Sequence, residues 1–210
     1  CLTGVCTVGI SGHVRPDGDC VGACMSMYLY LKKNYPNIKA DVFLEKIPQE
    51  LTFIKDSDKI NNDFVSDVLN YDLFIVLDCG KERTGGAEKF FENAKKTINI
   101  DHHVSNSGTG DANYVVPTAS SACELVYDVI DKERIDAEIA KTIYTGMVTD
   151  TGVFKYSNTS PKTMEIAARL ISYGFDFGSL IDHVFYEKTY LQNQILGRAL
   201  LESIRLLDGR

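Results

Sequence analysis

Long apolar runs are missing from this chain. No segment reaches the roughly 20 consecutive apolar residues that a membrane-spanning helix needs, and no secretory signal opens the sequence. Basic excess is missing as well. The formal net charge of -7 argues against a broad cationic face for duplex DNA, while leaving room for a small nucleotide held through metal ions. Paired-cysteine spacing is also absent: Cys1, Cys6, Cys20, Cys24, Cys79 and Cys123 fit neither a zinc ribbon nor a disulfide framework. They read as reduced and mostly buried. Cys20 and Cys24, one helical turn apart, read as small core residues rather than ligands. There is no internal repeat and no low-complexity segment. What remains is a globular chain of 210 residues, 44% hydrophobic, expected in the cytoplasm. It does not begin with Met, which suggests a trimmed N-terminus.

Residues 5–10 form a short apolar run of buried-strand length, and Val21, Cys24, Met25, Tyr28 and Leu31 then recur at helical spacing. Between them lies a turn containing His13, Asp17 and Asp19. Pro16 restrains this turn, and Gly18 is expected to let the backbone bend closely between the two aspartates. Further strands are predicted at 38–44, 73–78, 97–101 and 114–116, with an irregular connection over 48–62 and a helix over 85–96. Ser121 and Glu124 have the form of a capping box, and a helix over 137–148 stops near Asp150. Ser160 and Pro161 read as the start of another helix that Gly174 ends, and one or two helices follow from Phe177 to Leu207. Strand–helix alternation with unbroken apolar strands predicts an α/β fold: three α/β/α layers around a mainly parallel sheet, followed by a helical connector.

Taken singly, an aspartate at a strand end is a turn former or a helix cap. Here His13, Asp17, Asp19, Asp78, Asp101, His102, His103 and Asp150 all fall at element ends that can share one sheet edge. Clustered buried carboxylates need a cation, and imidazole–carboxylate donors suit Mn²⁺, with Mg²⁺, Co²⁺ or Fe²⁺ compatible and zinc less favoured. The donors outnumber the needs of one ion. Two ions sharing Asp78 at the end of a central strand would activate water for attack on a phosphate ester.

Asp101-His102-His103, together with His13, Pro16-Asp17-Gly18-Asp19, Asp78 and Asp150-Thr151-Gly152, resembles the ordered motifs of the DHH phosphoesterase superfamily. The similarity is nearest to its bacterial oligoribonuclease and phosphoadenosine-phosphate phosphatase branch. The resemblance implies one metal on His13, Asp17 and Asp78 and a second on Asp19, Asp78, His102 and Asp150. It implies that His103 faces the substrate phosphate or assists the leaving group, and that Asp101 orients a histidine. The expected substrates are a small nucleotide such as a 3′,5′-bisphosphonucleotide (pAp) or a short single-stranded RNA, and a homodimer is possible. Ala23 stands where the family often has Ser, and nothing here matches the Gly-rich, His-containing motif of the branch's second domain. Residues 1–185 are therefore expected to be the catalytic domain, and 186–210 a helical connector toward a substrate-binding domain absent from this chain. Arg83 reads as solvated and His183 as structural. Dinucleotide hydrolysis is an alternative, as is pyrophosphate hydrolysis, which Gly18 disfavours because manganese pyrophosphatases usually carry Thr there. From another class, the chain could be a non-catalytic metal or nucleotide sensor.

Overall fold

Five short strands, buried in the centre and more exposed at the edges, assemble into one sheet in a computed structural model, which describes residues 2–203. The strands are Thr7–Ser11 (β1), Lys39–Phe43 (β2), Leu73–Leu77 (β3), Thr97–Asp101 (β4) and Ala112–Val115 (β5), in the order β2-β1-β3-β4-β5. Every pairing in the sheet is parallel. β3 is buried along its whole length, as a central parallel strand must be. From β1 the chain steps outward to β2, then returns to β3 on the other side. That reversal opens a crevice at the carboxyl ends of β1 and β3, the usual ligand position in such sheets.

Two reciprocal latches hold the opposite edge. Asp72, just before β3, accepts hydrogen bonds through Oδ2 from the Thr7 amide at 3.0 Å and hydroxyl at 3.2 Å, while its own amide donates to Thr7 Oγ1 at 3.0 Å. Asp111, just before β5, treats the amide and hydroxyl of Thr97 in the same way. The resulting register sets Ser11 beside Val76 and Leu77 beside Ile100. Carried past the strand ends, it sets His13, Asp78 and Asp101 on one row.

The helices are Gly18–Asn34 (α1), Glu88–Glu92 (α2), Ala122–Val129 (α3), Ala137–Asp150 (α4), Pro161–Ile171 (α5), Phe177–Ile181 (α6) and Tyr190–Arg198 (α7). α1 carries apolar residues all round because it lies inside the molecule, against the sheet and against α3 and α4. A Cβ on Gly146 would overlap the Cys123 sulfur and approach Asp19 Cα to 3.1 Å, so α4 can meet α1 and α3 this closely only without it. Gly18 has the same duty. A Cβ there would come within 2.6 Å of Thr149 Cγ2, so glycine is required by the α4 approach rather than by a sharp bend between the aspartates. The other sheet face is covered more thinly by Phe43, Tyr71, Phe74, Phe90 and Phe91, with the Phe43 and Phe90 rings stacked at 4.6 Å.

Several boundaries differ from the sequence reading. The helix expected over 85–96 is a 3₁₀ turn at Gly85–Ala87 followed by the single-turn α2, because Gly85 adopts φ +58° and Asn93 ends the run. The expected irregular connection contains 3₁₀ turns at Gln49–Leu51 and Ser57–Lys59. Asp150 is the last residue of α4, not a residue beyond it. Only half of the Ser121 capping box forms: Ser121 Oγ accepts from the Glu124 amide, but the buried Glu124 carboxylate instead accepts from Ser120 and Thr163. The Ser160 cap with Pro161 in the first turn is present. After α6 the chain continues as a π turn, Asp182–Tyr186, in which His183 meets Phe53 edge-on and pairs with Glu187. α7 leads into a second π segment, Ala199–Ser203, and Tyr190, Leu191, Ile195 and Leu201 along this stretch are exposed. Cys1 and positions 204–210 of the expected connector lie outside the described residues. Among those described, Cys20, Cys24, Cys79 and Cys123 are free and buried, Cys6 is free and exposed, and no helix is long and apolar enough to cross a membrane.

Candidate metal centre

Asp78 leaves the end of β3 with φ +63°, a left-handed backbone that aspartate tolerates better than most residues. The conformation drives its carboxylate into the crevice, where it is 2% exposed. Its two oxygens face different partners. Oδ2 lies 3.3 Å from His13 Nε2, whereas Oδ1 lies 3.4 Å from His102 Nε2 and 3.6 Å from His103 Nδ1. Oδ1 accepts no hydrogen bond, an unusual condition for a buried carboxylate oxygen.

Around Oδ2, His13 turns Nε2 inward because Nδ1 is engaged by the Val14 carbonyl at 2.9 Å, which makes Nδ1 the donor. Asp17 is the N-cap of α1: Oδ1 accepts from the Asp19 and Cys20 amides, leaving Oδ2 3.7 Å from His13 Nε2. Around Oδ1, Asp19 and Asp150 each place an Oδ2 3.8 Å from His102 Nε2. Asp19 reaches the first turn of α3, where the Ala122 and Cys123 amides donate to its two oxygens at 2.6 and 2.9 Å. Unpaired amides and the helix dipole make that turn a good seat for a carboxylate. Asp150 is braced by Asn158, whose Nδ2 donates to its Oδ2 and to the Ser120 carbonyl.

Asp101 is fully buried and holds the histidine pair. Its Oδ1 accepts from the His102 and His103 amides and lies 2.8 Å from His103 Nδ1, while Oδ2 accepts from Asn106 Nδ2 at 2.6 Å. His103 thus keeps its proton on Nδ1 and presents Nε2. The structure brings all eight residues singled out by sequence into this crevice. Arg83 is not among them. Its backbone carbonyl accepts from the Val14 amide and its side chain is exposed. Sequence reading missed Asn106, which lies in the His102-His103-Val104-Ser105-Asn106 run, and Asn158 and the first turn of α3, which carry no motif of their own.

Residues 7–147 match the N-terminal domain of the DHH family. The chain belongs to the DHH family. It is 30% identical over 188 residues to the bifunctional oligoribonuclease and PAP phosphatase NrnA of Bacillus subtilis, covering 87% of this chain and 58% of that one. The NrnA of Thermus thermophilus is 32% identical over 201 residues, covering 91% and 57% respectively. This DHH chain therefore spans well under two thirds of the length of these curated relatives. An exopolyphosphatase-related protein from Bacteroides fragilis shares its fold, with a TM-score of 0.90 and 24% identity over 99% of this chain and 64% of the other.

The electrostatics of this DHH crevice are those of a cation site. Burial raises Asp150 to about 6, with the nearby Asp78 charge adding to the effect. Burial also raises Asp19, together with its carboxylate neighbours Asp78 and Asp150. Burial works against a charged His102, yet the Asp78 carboxylate beside it and the neighbouring Asp19 and Asp150 outweigh that and raise it to about 9. His13 is raised further, the Asp17 and Asp78 carboxylates beside it overcoming burial. The imidazoles thus hold protons where a divalent cation fits, and the unpartnered Asp78 oxygen supplies it a free donor. Metal uptake is expected to release protons and to strengthen as pH rises toward about 9, because a lower pH leaves more protons on His102 to displace. Below about 6 it should weaken more steeply as Asp150 also protonates. Metal titrations in buffers of different ionisation enthalpy measure this directly; uptake without proton release would contradict it.

Asn106 is expected to matter through Asp101. Asn106→Ala should lower activity about 10–100-fold, as loss of partners that orient metal-site groups commonly does. Histidine NMR should show His103 losing its fixed Nδ1 tautomer. An unchanged tautomer would assign Asn106 only to loop structure.

Proposed function

We propose that this chain is a phosphoesterase acting on short oligoribonucleotides, 3′,5′-bisphosphonucleotides or both. The observation that carries the reading is Asp78, a buried carboxylate whose oxygens face separate imidazole–carboxylate groups across one crevice. In this reading one ion is held by His13, Asp17 and Asp78, and another by Asp19, Asp78, His102 and Asp150. Manganese suits the nitrogen and oxygen donors, and magnesium, cobalt or iron are compatible. Such ions, when bound, lower the pKa of water and neutralise charge on the phosphoryl oxygens.

The chain's own residues do the rest. His103 is half-buried, and the Asp101 carboxylate on its Nδ1 raises its pKa and favours the protonated ring. Nε2 is then the atom that donates a proton to the departing ester oxygen, while Asp101 keeps the ring in place. Asp17, as an N-cap, and Asp19, on the first turn of α3, are held by backbone amides. This fixed placement is what an oriented reaction requires. The names of the NrnA relatives, which describe oligoribonuclease and PAP phosphatase activity, support the substrate class. The exposed apolar residues of α7 support the reading of this stretch as a connector to a substrate-binding unit.

The test is manganese-dependent release of mononucleotide from a short RNA, and of phosphate from a 3′,5′-bisphosphonucleotide, with Asp78→Asn as control. Equal activity in the two proteins would sink the reading. Metal binding with no cleavage of either substrate would favour a sensor.

A further inference from the structure

Asn99 lies two residues before Asp101 on β4, so the two side chains leave the same face of the sheet. It is fully buried, and all four of its hydrogen-bonding positions are filled. Nδ2 donates to the Val76 carbonyl at 3.2 Å and to the Cys79 carbonyl at 2.8 Å. These two carbonyls bracket Asp78. In an extended strand, residues three apart are separated by about 10 Å. The left-handed step at Asp78, φ +63°, folds the chain so that one nitrogen reaches both. Oδ1 serves the other side. It accepts from Asn106 Nδ2 at 2.9 Å, and the same Nδ2 donates to Asp101 Oδ2 at 2.6 Å. Thr109 Oγ1 donates to Asn99 Oδ1 at 3.4 Å and accepts from the Lys81 amide at 3.2 Å, which ties the loop after His103 to the turn after Asp78 a second time. Buried hydrogen-bonded pairs can often be replaced by apolar groups of the same shape at little cost in stability. What an apolar side chain could not reproduce here is the common reference between two strand ends.

We propose that Asn99 is a positioning residue for the phosphoesterase reaction. One buried amide fixes the turn that carries the Asp78 carboxylate and, through Asn106 and Asp101, the His103 ring. The inference rests on the reading of this crevice as a phosphoesterase centre, and it adds the group that holds cation binding and proton donation at a set separation. Asn99 touches neither substrate nor metal. It acts on Asp78 through backbone carbonyls and on His103 through a side-chain relay. Its removal frees both arms, whereas Asn106→Ala frees the His103 arm alone.

Histidine NMR of the metal-free 210-residue chain and a manganese titration read the two arms separately. Asn99→Ala is expected to lose the fixed Nδ1 tautomer of His103 and to bind manganese about 10–100-fold more weakly, as loss of groups that orient metal ligands commonly does. Asn106→Ala should lose the tautomer and keep the parent's manganese affinity. Asn99→Ser, too short to reach both carbonyls and Asn106 at once, is the second variant should alanine not fold, and the same two losses are expected of it. Leu31→Ala, a buried change at the far end of α1, is the control for lowered stability alone. It should lower Tm and leave both readouts at parent values; a control that moves both would make the Asn99 effects merely structural and overturn the proposal. A fixed His103 tautomer or parent manganese affinity in the Asn99 variants overturns it as well. A parent chain that binds no manganese overturns the metal-centre reading itself, a result distinct from parent-like behaviour of the variants.

Discussion

Asp78→Asn is expected to remove both the activity and the metal-induced stabilisation of the protein. Asparagine is the informative replacement because it also accepts the left-handed backbone that Asp78 adopts at φ +63°, so lost charge is not confounded with strain. Removing groups that merely orient metal ligands commonly costs 10–100-fold, so loss of a carboxylate that faces both halves should exceed about a hundredfold. A ligand at a hundred times its Kd stabilises by about 2.7 kcal/mol. For a chain of this size that corresponds to roughly 5–10 °C in Tm. Calorimetry with and without manganese should show this rise for the parent protein and none for the variant. A variant that keeps the rise would remove Asp78 from the metal centre.

Gly146→Ala is expected to be the most destabilising of the conservative changes near the site. Alanine in a helix interior gains up to about 1 kcal/mol over glycine. Against that, the added methyl would overlap the Cys123 sulfur and crowd Asp19 Cα at 3.1 Å, where α1, α3 and α4 meet. Overpacking of this kind costs about 1–3 kcal/mol, so the clash decides the sign. Because Asp19 is displaced with it, weaker metal binding should accompany the lower Tm. Cys123→Ala in the same chain should recover part of the loss, and the interaction energy from the double-mutant cycle checks whether the two side chains collide. Additive effects would place the strain elsewhere.

The acidic end of β3 was legible because an unbroken apolar run followed by aspartate can be placed on a parallel sheet without further information, and Thr97 to Asp101 repeats the ending with isoleucines in alternation. Asp17 and Asp19 are close in sequence, yet they lie beside different histidines, His13 and His102. The supporting groups were less legible. Asn158 reaches Asp150 from eight residues away across a turn in which Val153 and Phe154 both adopt positive φ, geometry that no spacing rule encodes. The seat of Asp19 is made of backbone amides at α3, more than a hundred residues downstream, and amides leave no mark in a sequence. Gly18 was visible as a glycine, but its reason lay in Thr149 of a distant helix. The long helix expected before β4 failed for a local reason, since Gly85 at positive φ makes the chain enter α2 through a 3₁₀ turn.

The Thr7–Asp72 and Thr97–Asp111 latches act as the zero mark of a ruler. β1, β3 and β4 are each five residues long, so the chain counts the same distance from that edge to the crevice on each strand. One extra residue in a strand would advance its end by about 3.3 Å and turn the following side chain to the opposite face. Spacing between donors in the crevice is thus set by chain length from an edge that touches none of them. For anyone grafting this centre onto another sheet, the threonine–aspartate pairs are part of what must be carried across.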